Sequence, residues 1–339
     1  MNKPIFILVT VLVAILIVLP AITVTVWHPN ANESVPPSLE FDAGKKQIQV
    51  SVYVSKEGKV IHLPMEDYIR GVVAAEMPAN FEPEALKAQA LAARTFIVRR
   101  IVDKDFSTLP KRAKELNAMV TDTVSDQVYI SDESLRQKWG LLTYSFNMKK
   151  LKDAVQDTEG QVITYEGRPI EASFFSTSNG YTENSEDYWN QSLPYLKSVE
   201  SPWDEVAPKF KQTVTFPINE VNQKLGSDLV AVPVMAGSGT SSIQVLEQSE
   251  GKRIKKVKIG SKILTGREVR ERLGLNSSHF AAQVRKDNVS FTTYGLGHGV
   301  GMSQWGANGM AKQGKTAEEI VKYYYRGVSI HDYRDWISG

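Results

Sequence analysis

Pro64-Met-Glu-Asp-Tyr-Ile-Arg-Gly-Val-Val-Ala-Ala-Glu-Met-Pro78 is the stretch on which the fold turns. It reads as a helix bracketed by prolines. Pro64 has the backbone geometry of a first turn, and Glu66 and Asp67 suit the positive end of a helix dipole. Pro78 disfavours helical geometry at Met77, so the helix stops there and Glu76 falls in its final turn. A second helix opens at Glu82-Pro83-Glu84 and runs on through the alanine-rich stretch to Ile101. Leu86, Ala90, Ala93, Ile97 and Ile101 make an apolar stripe at helical spacing, and the alanines let a neighbouring helix approach closely.

Working outward, Gln47-Ile-Gln-Val-Ser-Val-Tyr-Val54 alternates apolar and polar residues, the pattern of a half-buried strand. A turn at Glu57-Gly58 leads into a partner strand, Val60-Ile-His-Leu63. Residues 103–135 are polar and irregular and read as a surface excursion. A basic helix follows from about Leu135 to Thr158, then a hairpin formed by Val162-Ile-Thr-Tyr165, Glu166-Gly167 and Ile170 to Phe175. Within residues 210–290, a strand from Lys211, a helix after Pro217, a hairpin around Gly251 and a capping box at Thr265-Gly-Arg-Glu268 describe a small insert. The C-terminal part holds a Gly-rich segment, Gly295 to Ala307, and a helix capped by Thr316 and Glu319. The expected fold class is α+β: a helical core packed with antiparallel sheets, a smaller α+β insert lobe, and an N-terminal transmembrane helix. No internal repeat of fixed period occurs.

Composition narrows the chemistry. The chain has 339 residues, 42% apolar and 23% charged, a globular balance. A net charge of +2 gives no reason to expect nucleic acid as a partner. The absence of cysteine removes disulfides, thiolate zinc sites and cysteine nucleophiles together. The five histidines, His28, His62, His279, His298 and His331, are scattered, so no metal or other cofactor is expected. Pro4 to Val26 carries no charge, about 23 residues, enough to cross a bilayer as a helix. Lys3 precedes it and acidic residues follow, which puts the N-terminus in the cytoplasm and the remainder outside. The run is too long for an ordinary signal-peptide core, and Ala21-Ile-Thr-Val24 is a poor cleavage site. Residues 1–27 are therefore expected to be an anchor with Trp27 at the interface, and the proline-containing residues 28–45 a linker.

Glu76 is the sharpest chemical candidate. Apolar neighbours desolvate it and the negative end of its helix opposes its charge, and both effects favour the protonated form that a general acid needs. The alternative is a solvated last-turn glutamate. Glu183, Glu186 and Asp187 are candidates for a second carboxylate of a glycosidase, and a single-acid mechanism assisted by the substrate's N-acetyl group is the other route. Arg94, within the alanine-rich helix, needs an acidic partner, which Glu76, a bound sugar or a structural salt bridge would each provide. Gln89 sits about one turn before it. Ser176-Thr-Ser-Asn-Gly-Tyr-Thr-Glu-Asn-Ser-Glu-Asp-Tyr-Trp189 packs hydroxyls, amides and aromatic rings together, the mixture that binds sugars or, equally, a turn backed by core aromatics. The Gly-rich segment fails the G-x-G-x-x-G test from either Gly295 or Gly297. Its glycines suit a close backbone approach around His298. The Lys252–Lys262 stretch reads as a solvated hairpin face.

Joint motifs go further than composition. Tyr68-Ile-Arg-Gly-Val-Val-Ala-Ala-Glu-Met-Pro78 with Glu84-Ala-Leu-Lys-Ala-Gln-Ala-Leu-Ala-Ala-Arg-Thr-Phe96 resembles the SpoIID/LytB-domain family. So do Phe175-Ser-Thr-Ser-Asn-Gly-Tyr-Thr-Glu-Asn184, Pro194-Tyr-Leu-Lys-Ser-Val199, Pro202-Trp-Asp204 and Gly297-His-Gly-Val-Gly-Met-Ser-Gln-Trp-Gly-Ala307. The resemblance implies a lytic transglycosylase that cuts between N-acetylmuramic acid and N-acetylglucosamine and leaves a 1,6-anhydro end. Its catalytic glutamate falls on Glu76. Gln89, Arg94, Ser176, Thr177, Tyr188, His298 and Gln304 are expected around the substrate. The resemblance further implies engulfment during endospore formation, from the mother-cell membrane, on denuded peptidoglycan glycan strands supplied by an amidase that strips the stem peptides. The partners it implies are an amidase, stage II sporulation protein P, and a membrane protein, stage II sporulation protein M. On this reading residues 46–208 are the catalytic region, 209–290 the small lobe, and 291–339 the Gly-rich loop and C-terminal helix that complete the core.

Overall fold

The computed structural model describes residues 48–189, 191–230 and 242–337. The expected anchor, 1–27, and linker, 28–45, lie outside them. Among the described residues no helix is long and apolar enough to cross a membrane.

The fold class is α+β, with helices and several small sheets. Strands β1 (Gln49–Val54) and β2 (Lys59–Pro64) form the expected antiparallel hairpin. Helix α1 (Met65–Glu76) follows at once, with Pro64 as its N-cap and Met77 already extended (φ −117°, ψ 143°). The proline after Met77 thus ends the helix as its sterics require. Helix α2 (Pro83–Asp103) is the centre of the core. It differs from the expected one-sided stripe. Ala85, Leu86, Ala88 to Thr95, Ile97 and Val98 are all buried, because α1 and the later helices surround it. Small alanine side chains are what let several helices approach one helix at once, and Ile101, at the fraying end, is only half-buried.

The segment after α2 is not a simple surface excursion. It contains helix α3 (Lys111–Glu115) and a short strand β3 (Val120–Thr121) that pairs in parallel with β1. Its later part folds back on α1. Tyr68 donates its hydroxyl to the buried Gln127 Oε1 at 3.2 Å, Arg100 is ion-paired with Asp126, and the Tyr129 ring stacks on Tyr68. Polar composition misleads here because side chains such as Gln127 and Asp126 find partners inward, on Tyr68 and Arg100.

The expected single helix from Leu135 to Thr158 is two, α4 (Asp132–Trp139) and α5 (Leu141–Gln156). Gly140 separates them at φ 70°, a conformation that a helix interior does not allow. Strands β4 (Gln161–Tyr165) and β5 (Arg168–Pro169) form the expected hairpin, but β6 (Phe174–Phe175) leaves it for a different partner, described below. Helix α6 (Ser185–Trp189) and a 3-10 turn (Pro202–Val206) follow.

Residues from Lys211 to Tyr294 build a second apolar cluster. Its elements are β7 (Lys211–Pro217), α7 (Ile218–Leu225), β8 (Ile243–Gln248), β9 (Ile254–Ile259), β10 (Lys262–Leu264), α8 (Gly266–Leu273), β11 (Phe280–Arg285) and β12 (Asn288–Tyr294). Two antiparallel sheets, β11-β12-β7 and β10-β9-β8, pack with the two helices. Val289, Phe291 and Thr293 alternate inward along β12, as a one-sided strand must. The capping box at Thr265 and Glu268 is present, with both reciprocal bonds.

The chain then returns to the first core as β13 (Met302–Ser303), α9 (Gln304–Lys312), α10 (Ala317–Tyr324) and β14 (Ser329–Asp332). Thr316 and Glu319 form a second capping box. Strand β14 closes the β14-β4-β5 sheet, and α9 and α10 pack on α2.

Candidate active site

Strand β6 pairs in parallel with β13, Phe174 opposite Met302 and Phe175 opposite Ser303. Parallel pairing makes the next residues of both segments emerge side by side, and these are Ser176 and Gln304. The Trp305 amide donates to the Ser176 carbonyl at 3.1 Å and continues the register. The Gly-rich segment lies against the same loop: Thr177 and Leu296 exchange both backbone hydrogen bonds, at 3.0 and 2.7 Å. Its glycines serve close approach, as expected. A Cβ at Gly301 would lie 2.0 Å from the Ser173 carbonyl, nearer than any real contact.

Asp204 ties this junction together from beneath. It is fully buried and accepts from the Ser178 amide at 2.8 Å, from Ser201 Oγ at 2.6 Å, and from Ser303 Oγ. Burial pushes its carboxyl above the usual range, while the donors pull it back. Ser303 in turn N-caps α9 by accepting from the Gly306 amide. Gln304 is therefore held at the first residue of a capped helix.

Glu76 lines a groove of about 470 Å3. Ser176, Thr177 and Gln304 line it too, as do Phe81, Trp139 and Trp305. The carboxyl is half-buried, and Oε1 accepts the Val128 amide at 3.0 Å. Desolvation raises its pKa, and the hydrogen bonds from Val128 and the Gln304 amide oppose that shift without cancelling it. No cation contributes to the balance. The result is a carboxyl that holds its proton to higher pH than a solvated glutamate. Trp305 stands edge-on to Phe81, with ring centroids 5.0 Å apart, and gives the groove a fixed aromatic wall.

Among the described residues Glu76 is the sole carboxylate lining this groove. Glu183 is buried elsewhere, accepting from Ser249 Oγ at 2.6 Å. Glu186 is paired with Lys197 at 2.5 Å, and Asp187 with Lys255 at 2.8 Å. None of the three acids expected as a possible second carboxylate reaches the site.

The other expected site residues divide. Gln89 is buried behind the groove and accepts from Gln304 Nε2 at 3.4 Å, so it meets the site through that side chain. Arg94 lies outside the groove. It is wholly buried in a two-pronged ion pair with Glu66 (2.9 and 2.6 Å) and donates further to the Val155 and Gln161 carbonyls. Of the partners considered from sequence, the structural salt bridge is the one realised. His298 also lies outside. Its Nε2 donates to the Phe174 carbonyl at 3.0 Å and its Nδ1 accepts from the Val300 amide at 3.1 Å, so neither nitrogen is free for a ligand. Burial lowers its pKa to about 4 and keeps it neutral. Tyr188 packs on His298 and beneath the Arg267 guanidinium, 4.5 Å from its ring centre. These residues support the loop and do not line the groove.

Several groove residues were not singled out from sequence. Trp305 adjoins Gln304 in a motif that was, so its signal was present. Lys138 and Trp139 sat unremarked in a basic helix, and Lys209 in a loop. Val128 contributes only its backbone, which no side-chain pattern announces.

Comparison with known proteins shows which sequences this chain is similar to. The family profile described as stage II sporulation protein, SpoIID, matches residues 53–165, which include Glu76. Stage II sporulation protein D of Bacillus subtilis (strain 168) is 49% identical over 286 residues, covering 84% of this chain and 79% of that protein. The protein of the same description from Bacillus amyloliquefaciens is 48% identical over 291 residues, with 86% and 81% covered. A more distant relative, the "Amidase enhancer" of Bacillus subtilis (strain 168), is 31% identical over 317 residues and is spanned over 40% of its length. With close to half of its residues shared over most of its length, this chain belongs to the stage II sporulation protein D family.

Proposed function

We propose that the chain is a lytic transglycosylase that cleaves the bond between N-acetylmuramic acid and N-acetylglucosamine in peptidoglycan glycan strands. The observation that carries this reading is the single carboxyl of Glu76, its pKa raised by burial, in an aromatic-walled groove with no second acid among the described residues. A two-carboxylate glycosidase needs a partner acid within about 5 to 10 Å. One group that first gives and then takes a proton does not.

In the proposed cycle, protonated Glu76 donates to the glycosidic oxygen as the C1–O bond breaks. The N-acetyl group of the muramic acid stabilises the electron-poor C1. The Glu76 carboxylate then removes the C6 hydroxyl proton as O6 bonds to C1, which closes the 1,6-anhydro ring and restores the acid. Val128 and Gln304 hold the carboxylate between the two transfers. Ser176 and Thr177 supply hydroxyls at the groove wall.

The family supports a role in sporulation. We assign the activity to engulfment, outside the mother-cell membrane, with residues 1–27 as a single-pass anchor. The amidase and membrane protein expected as partners, stage II sporulation proteins P and M, complete the proposal. The name of the more distant relative favours a second reading, in which the chain binds glycan and enhances an amidase without cutting sugar bonds. Mass spectrometry of peptide-free glycan treated with wild type and Glu76→Gln separates the two. New 1,6-anhydro ends made by wild type alone support the enzyme. Free reducing ends reject a transglycosylase in favour of hydrolysis, and intact strands with both proteins leave the enhancer reading.

A further inference from the structure

Helix α5 has two apolar faces. Tyr144, Met148, Leu151 and Val155 are buried in the core, and packing accounts for that face. On the other side of the helix Leu142 and Phe146 stand four residues apart on one face, and Leu141 adjoins them in the first turn. Leu141, Leu142 and Phe146 are 76%, 87% and 74% exposed. Among the described residues no other helix or strand leaves three large apolar side chains in solvent. The exposed face ends at the ion pair of Lys149 with Asp153, at 2.6 Å. The patch begins at a corner. Gly140 turns the chain from α4 into α5, and a Cβ there would meet nothing within 4 Å. Exposed cations flank the patch along the chain, Arg136 and Lys138 before it and Lys152 after it. Together α4 and α5 hold five basic and three acidic residues, so the two helices are net positive.

We infer that this corner docks on the surface of a bilayer, with Leu141, Leu142 and Phe146 below the headgroups and the flanking cations against anionic lipid. Interfacial segments have this make-up, an apolar face bordered by basic residues. The inference rests on the reading of residues 1–27 as an anchor, and not on the cutting of glycan. Residues 28–45 then tether the folded part, and a chain of that length spans at most about 65 Å when fully extended. A tethered surface meets its partner at high effective concentration, so a contact of three side chains is enough to hold it. A protein partner fits less well. A stable protein interface uses roughly 20 residues a side, with lysine depleted at its centre. Lys138 and Trp139, next to the corner, line the Glu76 groove. Docking therefore sets that groove beside the membrane, on the wall layer nearest to it.

The test uses the full chain in vesicles of phosphatidylglycerol and phosphatidylethanolamine. The chain has no cysteine, so Leu142→Cys takes a single environment-sensitive fluorophore. Ile263→Cys, 62% exposed in the small lobe, is the control. Both side chains are exposed, so neither substitution disturbs a core. We expect the label at 142 to shift to the blue and to be quenched by lipids that carry a quencher on the acyl chain, while the label at 263 behaves as in water. Phe146→Ser should lower the ratio of docked to undocked label at 142 on the order of tenfold, the loss of one buried apolar side chain. Replacing phosphatidylglycerol with phosphatidylcholine should lower it too. A label at 142 that the lipid quencher does not reach overturns the inference. So does a blue shift that grows with protein density in the vesicle, which marks a second copy as the occupant. Flotation of the parent and of L142S/F146S with the vesicles separates docking from anchoring. A chain that floats with an unquenched label keeps the anchor and loses the docking. One that floats only with Leu142 and Phe146 intact keeps the docking and loses the anchor, and one that floats in neither form loses both.

Discussion

The backbone amide of Val128 donates to Glu76 Oε1 at 3.0 Å, joining the end of a helix to a segment 52 residues further along the chain. The bond fixes where the carboxyl points and favours its ionised form, while burial favours the neutral one. An acid that must give a proton and then take one back benefits from this opposition, because neither state is favoured too strongly.

Glu76→Gln keeps an acceptor for Val128 and removes the proton. Loss of a general acid–base group lowers kcat by about 10²- to 10⁴-fold, read as 1,6-anhydro product formed per unit time. Stability should move the other way. A carboxyl whose pKa is raised on folding contributes stability that is full below its unfolded pKa and is lost as pH rises through the folded one. The variant should therefore be at least as stable as wild type at neutral pH, with the difference closing on acidification in thermal melts taken across pH.

Gln304→Ala removes a donor that favours the Glu76 carboxylate. The Glu76 pKa then rises further, and the alkaline limb of the kcat/KM profile, where the acid loses its proton, should shift to higher pH. A limb that stays in place or moves down would mean that the amide does not act on the carboxyl.

Gly71→Ala sets helix propensity against packing. Alanine gains about 1 kcal/mol over glycine in an exposed helix interior. Here its Cβ would lie 2.3 Å from the Tyr129 ring and 2.8 Å from the Ile130 carbonyl. The segment that carries the Val128 amide must move away. We expect lower stability in urea unfolding together with an upward shift of the alkaline limb, because the carboxylate loses its backbone donor.

Arg94→Met leaves Glu66 without its partner. Breaking a buried pair costs about 3–5 kcal/mol. The lower end is expected, since Glu66 retains some contact with solvent. Adding Glu66→Met should recover part of the loss in chemical denaturation, which marks the pair as structural. A double variant no more stable than the single one would count against that assignment.

Local rules carried a good part of the fold. The bracketing prolines set both ends of α1, and with them the position of Glu76 at its terminus. Alternation announced the β1–β2 hairpin, and the two capping boxes at Thr265 and Thr316 were legible three residues at a time. Each of these features depends on neighbours within one or two turns. The break at Gly140 was missed because the periodicity on its two sides is continuous enough to suggest one helix.

What the sequence by itself determined is the identity and local setting of one acid: a glutamate among apolar residues, at the end of a helix that a proline stops. Tertiary structure alone decided what surrounds it. The two-residue parallel pairing of Phe174–Phe175 with Met302–Ser303 brings Ser176 beside Gln304 across more than a hundred residues. Tertiary contacts also turned Arg94 and His298 from expected ligands into internal supports, Arg94 through Glu66 and His298 through the Phe174 carbonyl. The physical reason is the same in each case. Desolvation and hydrogen bonding depend on which atoms are close in space, and for these residues the close atoms come from distant parts of the chain.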